Sequence, residues 1–546
     1  MGEHMYRQVL DPLGALGLSA LVAAVPLLTI FVLLGLFRTR AHVAGLAGLA
    51  VALVVAALVY RMPYDQAALA AVEGAAFGVF PIMWIVINAI WIHQLTFPRG
   101  HFHDLRRAFG LVSTDPRVQV LVIAFCFGAL LEALAGFGAP VAITASMLTA
   151  LGLSPLRTAG AALLANTAPV AFGAIAVPII TAGKLTGIPA DTIGAMVGRQ
   201  TPILALVVPF LLVALVDGRR GLRQTWPAAA VCGITFALAQ FACSNFLSIE
   251  LTDIVAALVS LLAVAALLRA WQPRGTEEAR SSVLVEAAGG GPGAAVSTRV
   301  SPGRVLTAIS PYLIIVAVFA TAQVPAVAHA LDAVTKKFTW PGLHVVSSAG
   351  KPVSAATFTF NWLATPGTLL VISGLVATVV LRVGWRTSLH EWWLTVRKLR
   401  MAILTVATVL ALAYVMNLSG ETTTIGTFVA GTGGLLAFLS PLLGWFGTAV
   451  TGSDTSSNAL FASLQVAAGA KAGINPTLLV AANSSGGVLG KMISPQNLAI
   501  AAVAVNKEGE EGRLFRAAIR YSVPLVLALC LLVALQSLPV LDWMLP

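Results

Sequence analysis

The sequence predicts an all-α polytopic membrane protein of two inverted-topology repeats, each with a re-entrant hairpin and a broken transmembrane helix, about 12 spans and two hairpins in all. Three observations lead there. Of 546 residues, 58% are hydrophobic and only 10% charged, with a mean hydropathy of +0.90; a soluble chain of this length has too much surface in water for so few polar groups. Apolar runs long enough to cross a bilayer recur from end to end. Two longer runs are interrupted by Gly, Pro and Ser, which weaken a membrane helix and suit places where the backbone leaves it.

Taken in order, spans are expected at 14–37, 41–60, 75–97, 159–182, 201–217, 226–246, 252–271, 305–324, 365–383, 399–418, 474–505 and 518–541. The run from Gly14 reads as a retained helix, because further spans follow and no small-residue cleavage site stands out. The interrupted stretches 118–151 and 422–468 are expected to enter and leave on one side as hairpins. With the N-terminus outside, one face then carries Arg38/Arg40, Arg99 to Arg117, Arg157, Arg219 to Arg223, Arg269 to Arg304, Arg382 to Arg400 and Lys507 to Arg520, which is 24 of the 33 Lys and Arg. The positive-inside rule makes that face cytoplasmic and both termini external. The net charge of +11 thus orients the chain in its bilayer and calls for no nucleic-acid partner.

The Gly-, Ser- and Pro-rich segment 272–304 reads as a cytoplasmic linker between an N-terminal half, 1–271, and a C-terminal half, 305–546. The external segment 335–365, with "FTWPGLH" and "FTFNWLATPG", has the composition of a small ordered cap. Cys126, Cys232, Cys243 and Cys530 lie in apolar segments without metal-ligand spacing, and read as buried small hydrophobes. His93, among aromatics at a span's end, reads as an interfacial residue. No H-E-x-x-H, G-x-S-x-G or matched pair of intramembrane aspartates is present, so an enzyme is not expected, nor a cofactor or metal.

The halves answer each other. "ANTAPVAFGAIAVP" (165–178) aligns with "ANSSGGVLGKMISP" (482–495) at an offset of 317, pairing Asn166 with Asn483, Thr167 with Ser484, Gly173 with Gly490 and Pro178 with Pro495. Each half runs span, interrupted hairpin (118–151; 422–468), broken span (159–182; 474–505), further span. The expected hairpin tips are Gly136, Phe137, Gly138 and Ala139, before Pro140, and the polar run Ser453, Asp454, Thr455, Ser456, Ser457 and Asn458. Freed N–H groups at a half-helix start attract an anion, and hydroxyls and amides add donors without a permanent buried charge. Tips meeting the broken spans near Asn166, Thr167, Asn483, Ser484 and Ser485 would form one midplane site for a small carboxylate. Asn166 and Asn483 also fit interhelical hydrogen bonding, and Gly136/Gly138 close helix packing.

The stretches "LLEALAGFGAPVAI", "LLANTAPVAFGAIAVP", "TGSDTSSNALFASLQ" and "ANSSGGVLGKMISPQNLAIA" resemble the L-lactate permease family of bacterial transporters over nearly the whole length, least in the linker. The resemblance implies proton-coupled uptake of L-lactate and related 2-hydroxy monocarboxylates (glycolate, D-lactate) across the cytoplasmic membrane, by an elevator motion; a homodimer is a separate expectation, which the resemblance does not supply. Glu132 and Asp454 are the proton-carrying candidates, as carboxylates at membrane depth. The plainer alternatives are a buried ion pair for Glu132 and an N-cap for Asp454. Lys491 is the candidate partner for either acid or for substrate, while Glu421 in "NLSGETTT" has no assigned part. Two other readings stay open: a sodium-coupled carrier using the same polar tips, and an anion channel, whose flux would neither saturate nor follow a proton gradient.

Overall fold

The computed structural model describes residues 5–96, 100, 112–136, 138–284, 301–350 and 353–546. It is nearly all helical. Among the described residues, nine helices are long and apolar enough to cross a membrane, or ten if the bent pair Pro155–Ala165 and Val170–Thr186 counts as one span. The chain is a multi-pass membrane protein. Several expected boundaries move, and each shift has a local cause.

Helices α1 (Leu16–Leu36) and α2 (Ala41–Leu58) lie where expected, but α3 (Tyr64–Gln94) starts well before residue 75. Its first turns carry Gln66 and Glu73, polar enough to hide a span from hydropathy, yet both are buried. It is interrupted at Phe80 (φ −134°, ψ 121°), ahead of Pro81. His93, near its end, is buried in the protein. Helix α4 (Pro116–Leu134) is itself long enough to cross, more than half a hairpin requires. Helix α5 (Ala139–Ala150) runs back along it, so that a Cβ on Gly128 would meet Thr144 Cγ2 at 3.4 Å. Helices α6 (Pro155–Ala165) and α7 (Gly173–Thr186) follow, bent by 62° across their break.

The expected spans 201–217 and 226–246 belong to α8 (Ala190–Phe246), 57 residues with a break at Gly218 (φ 60°). At about 1.5 Å per residue a straight helix of that length would reach ~85 Å, against a hydrocarbon core of ~30 Å. It folds at Gly218 instead: Gly198 lies against Ser244 and Gly233 against Leu206, so the arms are antiparallel. The basic residues Arg219 to Arg223 are therefore helical rather than in a loop. After α9 (Thr252–Ala270), the expected linker contains a helix, α10 (Thr276–Val283); its residues 285–300 lie outside the described ones. Buried Arg117 holds this region together. It donates to Asp115 at 2.6 Å, Asp217 at 3.1 Å and the Arg274 carbonyl at 2.9 Å, while Thr276 Oγ1 donates to Asp115 at 3.0 Å.

In the second part, α11 (Gly303–Ala322) and α12 (Pro325–Asp332) precede the segment expected as a cap. There β2 (Lys336–Thr339) pairs antiparallel with β4 (Thr357–Phe360), and β3 (Val345–Val346) pairs in parallel with β1 (Tyr6–Arg7) near the N-terminus. Helix α13 (Pro366–Val380) has only 15 residues, short of a span. Helix α14 (Trp385–Ser419) begins well before residue 399, because its basic first turns are helical too. The stretch expected as one hairpin is three helices: α15 (Glu421–Val429), packed on α1, then α16 (Leu435–Thr451) and α17 (Asp454–Ala472). The broken span 474–505 is α18 (Pro476–Lys491) and α19 (Pro495–Ala504), before the final α20 (Glu511–Gln536).

Helix α18 is buried from Leu478 to Lys491, between α16, α17 and α8. Glycines make that approach possible: Gly444 of α16 lies on the Asn483 carbonyl, and Gly486 and Gly490 of α18 lie on the carbonyls of Pro441 and Trp445. A methyl on Gly444 would enter the Asn483 carbonyl, whereas Gly434 faces open space. Overpacking costs about 1–3 kcal/mol. Gly444→Ala should therefore melt well below wild type in detergent, with Gly434→Ala unchanged.

Candidate functional site

A cavity opens where four chain segments end together. It is lined by Glu132 and Gly136 at the end of α4; Val170, Gly173, Ala174 and Pro178 of the α6–α7 region; Gly452, Ser453, Asp454 and Thr455 between α16 and α17; and Lys491, the last residue of α18. It gives the centre of a water-sized sphere about 40 Å³, room for about three waters at ~10–15 Å³ each.

Local sequence brings these ends together. Gly136 (φ 38°) and Gly138 (φ 84°) take left-handed backbone conformations that end α4 and start α5. Gly452 (φ 76°) ends α16, and Ser453 then caps α17 by accepting from Ser456 N. Asp454 is thus the first residue of α17, and the capping role falls to its neighbour. The start of α7 is unusual: Ala174, Ile175 and Ala176 have φ of 47°, 58° and 57°. Non-glycine residues in this region cost about 1–2 kcal/mol each, and the strained turn sits on the cavity wall. At the sequence offset of 317, Ala174 corresponds to Lys491, and the backbone turns just before each of the aligned prolines, Pro178 and Pro495.

Charge is concentrated on this wall. Lys491 Nζ donates to Glu132 Oε1 at 2.6 Å, and Asn166 Nδ2 donates to Glu132 Oε2 at 2.8 Å. The Lys491 and Glu132 side chains are 8% and 3% exposed, so Glu132 is a buried ion-pair member rather than an unpaired carboxylate. Gly173 packs on it, where a Cβ would come within 2.8 Å of Oε1. Asp454 accepts from Ser484 Oγ at 2.6 Å, rests against Gly487, and lies within the electrostatic reach of Lys491. Two carboxylates thus line the cavity with one ammonium, and that ammonium is in contact with Glu132.

The other expected residues divide. Asn166 and Ser484 stand behind the wall, holding its acids. Asn483 donates to Asn458 Oδ1 at 2.9 Å, and Asn458 donates to the Pro178 carbonyl at 3.2 Å, so these two brace the wall across helices instead of lining it. Ser457 and Thr167 donate to the carbonyls of Gly444 and Leu164, and Ser485 turns away to Gln200. Ala139 opens α5, and Gly138 packs on Ile500 of α19. Phe137 lies outside the described residues. Glu421 is buried, accepts from Ser419 Oγ at 3.0 Å, and does not line the cavity. Gly452 lies in the expected tip run "TGSDTSSN", whereas sequence reasoning missed Val170 and the left-handed turn. It also missed Asn497, which donates to the Lys491 carbonyl at 3.0 Å, although that residue follows the matched Pro495.

The family model for L-lactate permease matches residues 19–540. The chain belongs to the L-lactate permease family. It is 43% identical to the glycolate permease GlcA of Escherichia coli (strain K12), over 97% of this chain and 98% of that one. It is 41% identical to the L-lactate permease of Bacillus subtilis (strain 168), over 99% and 100%. With the L-lactate permease of Escherichia coli (strain K12) it shares 40% identity over the full length of both. In this permease family member the buried pair can be tested alone. Removing one partner of such a pair leaves an uncompensated charge and costs about 3–5 kcal/mol. Lys491→Met and Glu132→Gln should each lower the melting temperature in detergent, and the double variant should recover most of that loss.

Proposed function

We propose that this protein is a secondary active transporter that takes up L-lactate, glycolate and D-lactate with a proton across the bacterial cytoplasmic membrane. The observation that carries the reading is the cavity's charge: Glu132 and Asp454 against the single Lys491. An anion that binds there must take Lys491 from an acid already holding it. A proton delivered to Glu132 frees the ammonium, one delivered to Asp454 removes the neighbouring negative charge, and either offsets the arriving anion. The same proton removes the opposition of the membrane potential, ~2.3 kcal/mol per charge per 100 mV. Relatives named as lactate and glycolate permeases support this choice of substrates.

In this reading the N-terminus is external, and α4–α5 and α16–α17 are re-entrant hairpins whose tips meet α6–α7 and α18–α19 across an inverted repeat. The common turn before Pro178 and Pro495, and the shared cavity position of Ala174 and Lys491, support the repeat. Bound substrate would cross by an elevator motion, with hairpins and broken helices moving as a unit. A few waters' worth of space fits an occluded, substrate-free form of such a site.

The deciding experiment is counterflow in proteoliposomes with a panel of 2-hydroxy acids. Labelled lactate should exchange against lactate and glycolate, and replacing Na⁺ by K⁺ should leave uptake unchanged; loss of uptake in K⁺ would install sodium coupling instead. Asp454→Asn keeps the side-chain volume but cannot cycle a proton. It should abolish uptake driven by a pH gradient while labelled exchange continues at a reduced rate. Full gradient-driven uptake by this variant would remove Asp454 from the coupling.

A further inference from the structure

Asp253 opens α9 and is fully buried, yet it is not on the cavity wall. Its Oδ1 accepts from Gln240 Nε2 at 3.4 Å. Its Oδ2 is buried with no hydrogen-bond partner among the described residues. A carboxylate this deep in a membrane protein, half satisfied, is costly if only structural.

Gln240, on the second arm of α8, ties Asp253 to the site. The same Nε2 donates to the Ala168 carbonyl at 3.2 Å, and its Oε1 accepts from Thr201 at 3.3 Å. Ala168 lies in the break between α6 and α7, two residues beyond Asn166, whose amide holds Glu132. A single non-helical segment therefore touches Asp253 through Gln240 and Glu132 through Asn166. Glu132 and Lys491 are near enough for their charges to be felt at Asp253 without contact. The Cys243 thiol of α8, which donates to the Ser248 carbonyl at 3.4 Å, and Glu250 lie in the same surroundings. Among these groups Lys491 is the one cation.

We propose that Asp253 is a second proton-binding carboxylate, set behind the cavity, whose charge state governs whether Lys491 stays with Glu132 or is released to a substrate carboxylate. The inference rests on the proton-coupled reading above. With Asp253 ionised, the group of Glu132, Asp454, Asp253 and Lys491 carries two net negative charges and repels an anion. When hydronium gives a proton to Oδ2, its own O–H bond breaks to leave water, an O–H bond forms on the carboxyl, and one of those charges is removed. The entering carboxylate restores the same total, and the proton returns to water on the far side as the substrate leaves. No other bond is made or broken. Asp253 is in this sense a positioning residue, acting on substrate through Lys491.

The test uses the full-length protein in proteoliposomes, comparing wild type, Asp253→Asn and Asp253→Glu for net lactate uptake against external pH. Wild-type uptake should rise severalfold as external pH falls. In Asp253→Asn the ratio of acid to alkaline uptake should collapse towards unity, and Asp253→Glu should restore it; a merely structural Asp253 would lower uptake at every pH and leave the ratio intact. If wild type does not follow the pH gradient, the proton-coupled reading fails and takes this inference with it. If wild type does follow it and Asp253→Asn keeps the wild-type profile, this inference alone is overturned. Should Asp253→Asn not reach the membrane, a hydrophobic carbodiimide on wild type gives a second measurement. Mass spectrometry should find the adduct on Asp253 in acid and much less in alkali; no adduct in either would overturn the proposal.

Discussion

Glu132 and Lys491 are separated by 359 residues of chain and by 2.6 Å of space. Their contact ties the end of α4 to the end of α18, each the last turn of a helix that gives way there to irregular backbone. A buried ion pair adds little net stability compared with apolar residues of the same shape, because both charges must leave water. Its effect is on which arrangement forms. With the pair made, Gly173 must remain without a side chain, Asn166 must face α4, and the strained turn at Ala174–Ala176 is held against the wall. Asp454 completes the set from the opposite side, steadied by Ser484.

Such a centre needs helices that approach closely, and small residues supply the room. Helix α18 meets α16 through Gly444, Gly486 and Gly490, each placed on a neighbour's carbonyl. The amide ladder of Asn483, Asn458 and the Pro178 carbonyl then crosses from α18 through α17 to α7. Apolar packing gives little preference for one helix rotation over another in lipid, so these directional contacts fix which faces look inward.

Much of this was legible in the sequence, for physical reasons. The ends of α4 and α16 were visible because glycine and serine in an apolar run have few other uses, and Lys491 was visible as an isolated cation in a buried span. The break after Asn166 was marked by the run Asn-Thr-Ala-Pro. Other features left no trace. Ala174–Ala176 have none of the glycine that usually marks left-handed backbone, so nothing in their sequence announces the turn. Glu73 and Gln66 made the start of α3 look like a loop, since hydropathy does not distinguish a polar side chain facing protein from one facing water. Asp253 drew no reading from the sequence, where it is one acid at the start of an apolar span, and only its distant partners give it meaning. Asn483 and Ser485 were recognisable as buried polar residues, but not the direction in which each would turn.

The Arg117 cluster changes where this chain can be divided. Asp115, Arg117, Asp217, Arg274 and Thr276 join the start of α4, the turn of α8 and the entry to α10, so the chain up to Val283 is tied into the helices before it. Anyone expressing the two parts as separate polypeptides, or inserting a fluorescent reporter between them, should leave α10 with the first part. A cut at residue 272 would detach the carbonyl and hydroxyl that help satisfy a fully buried guanidinium and its aspartate.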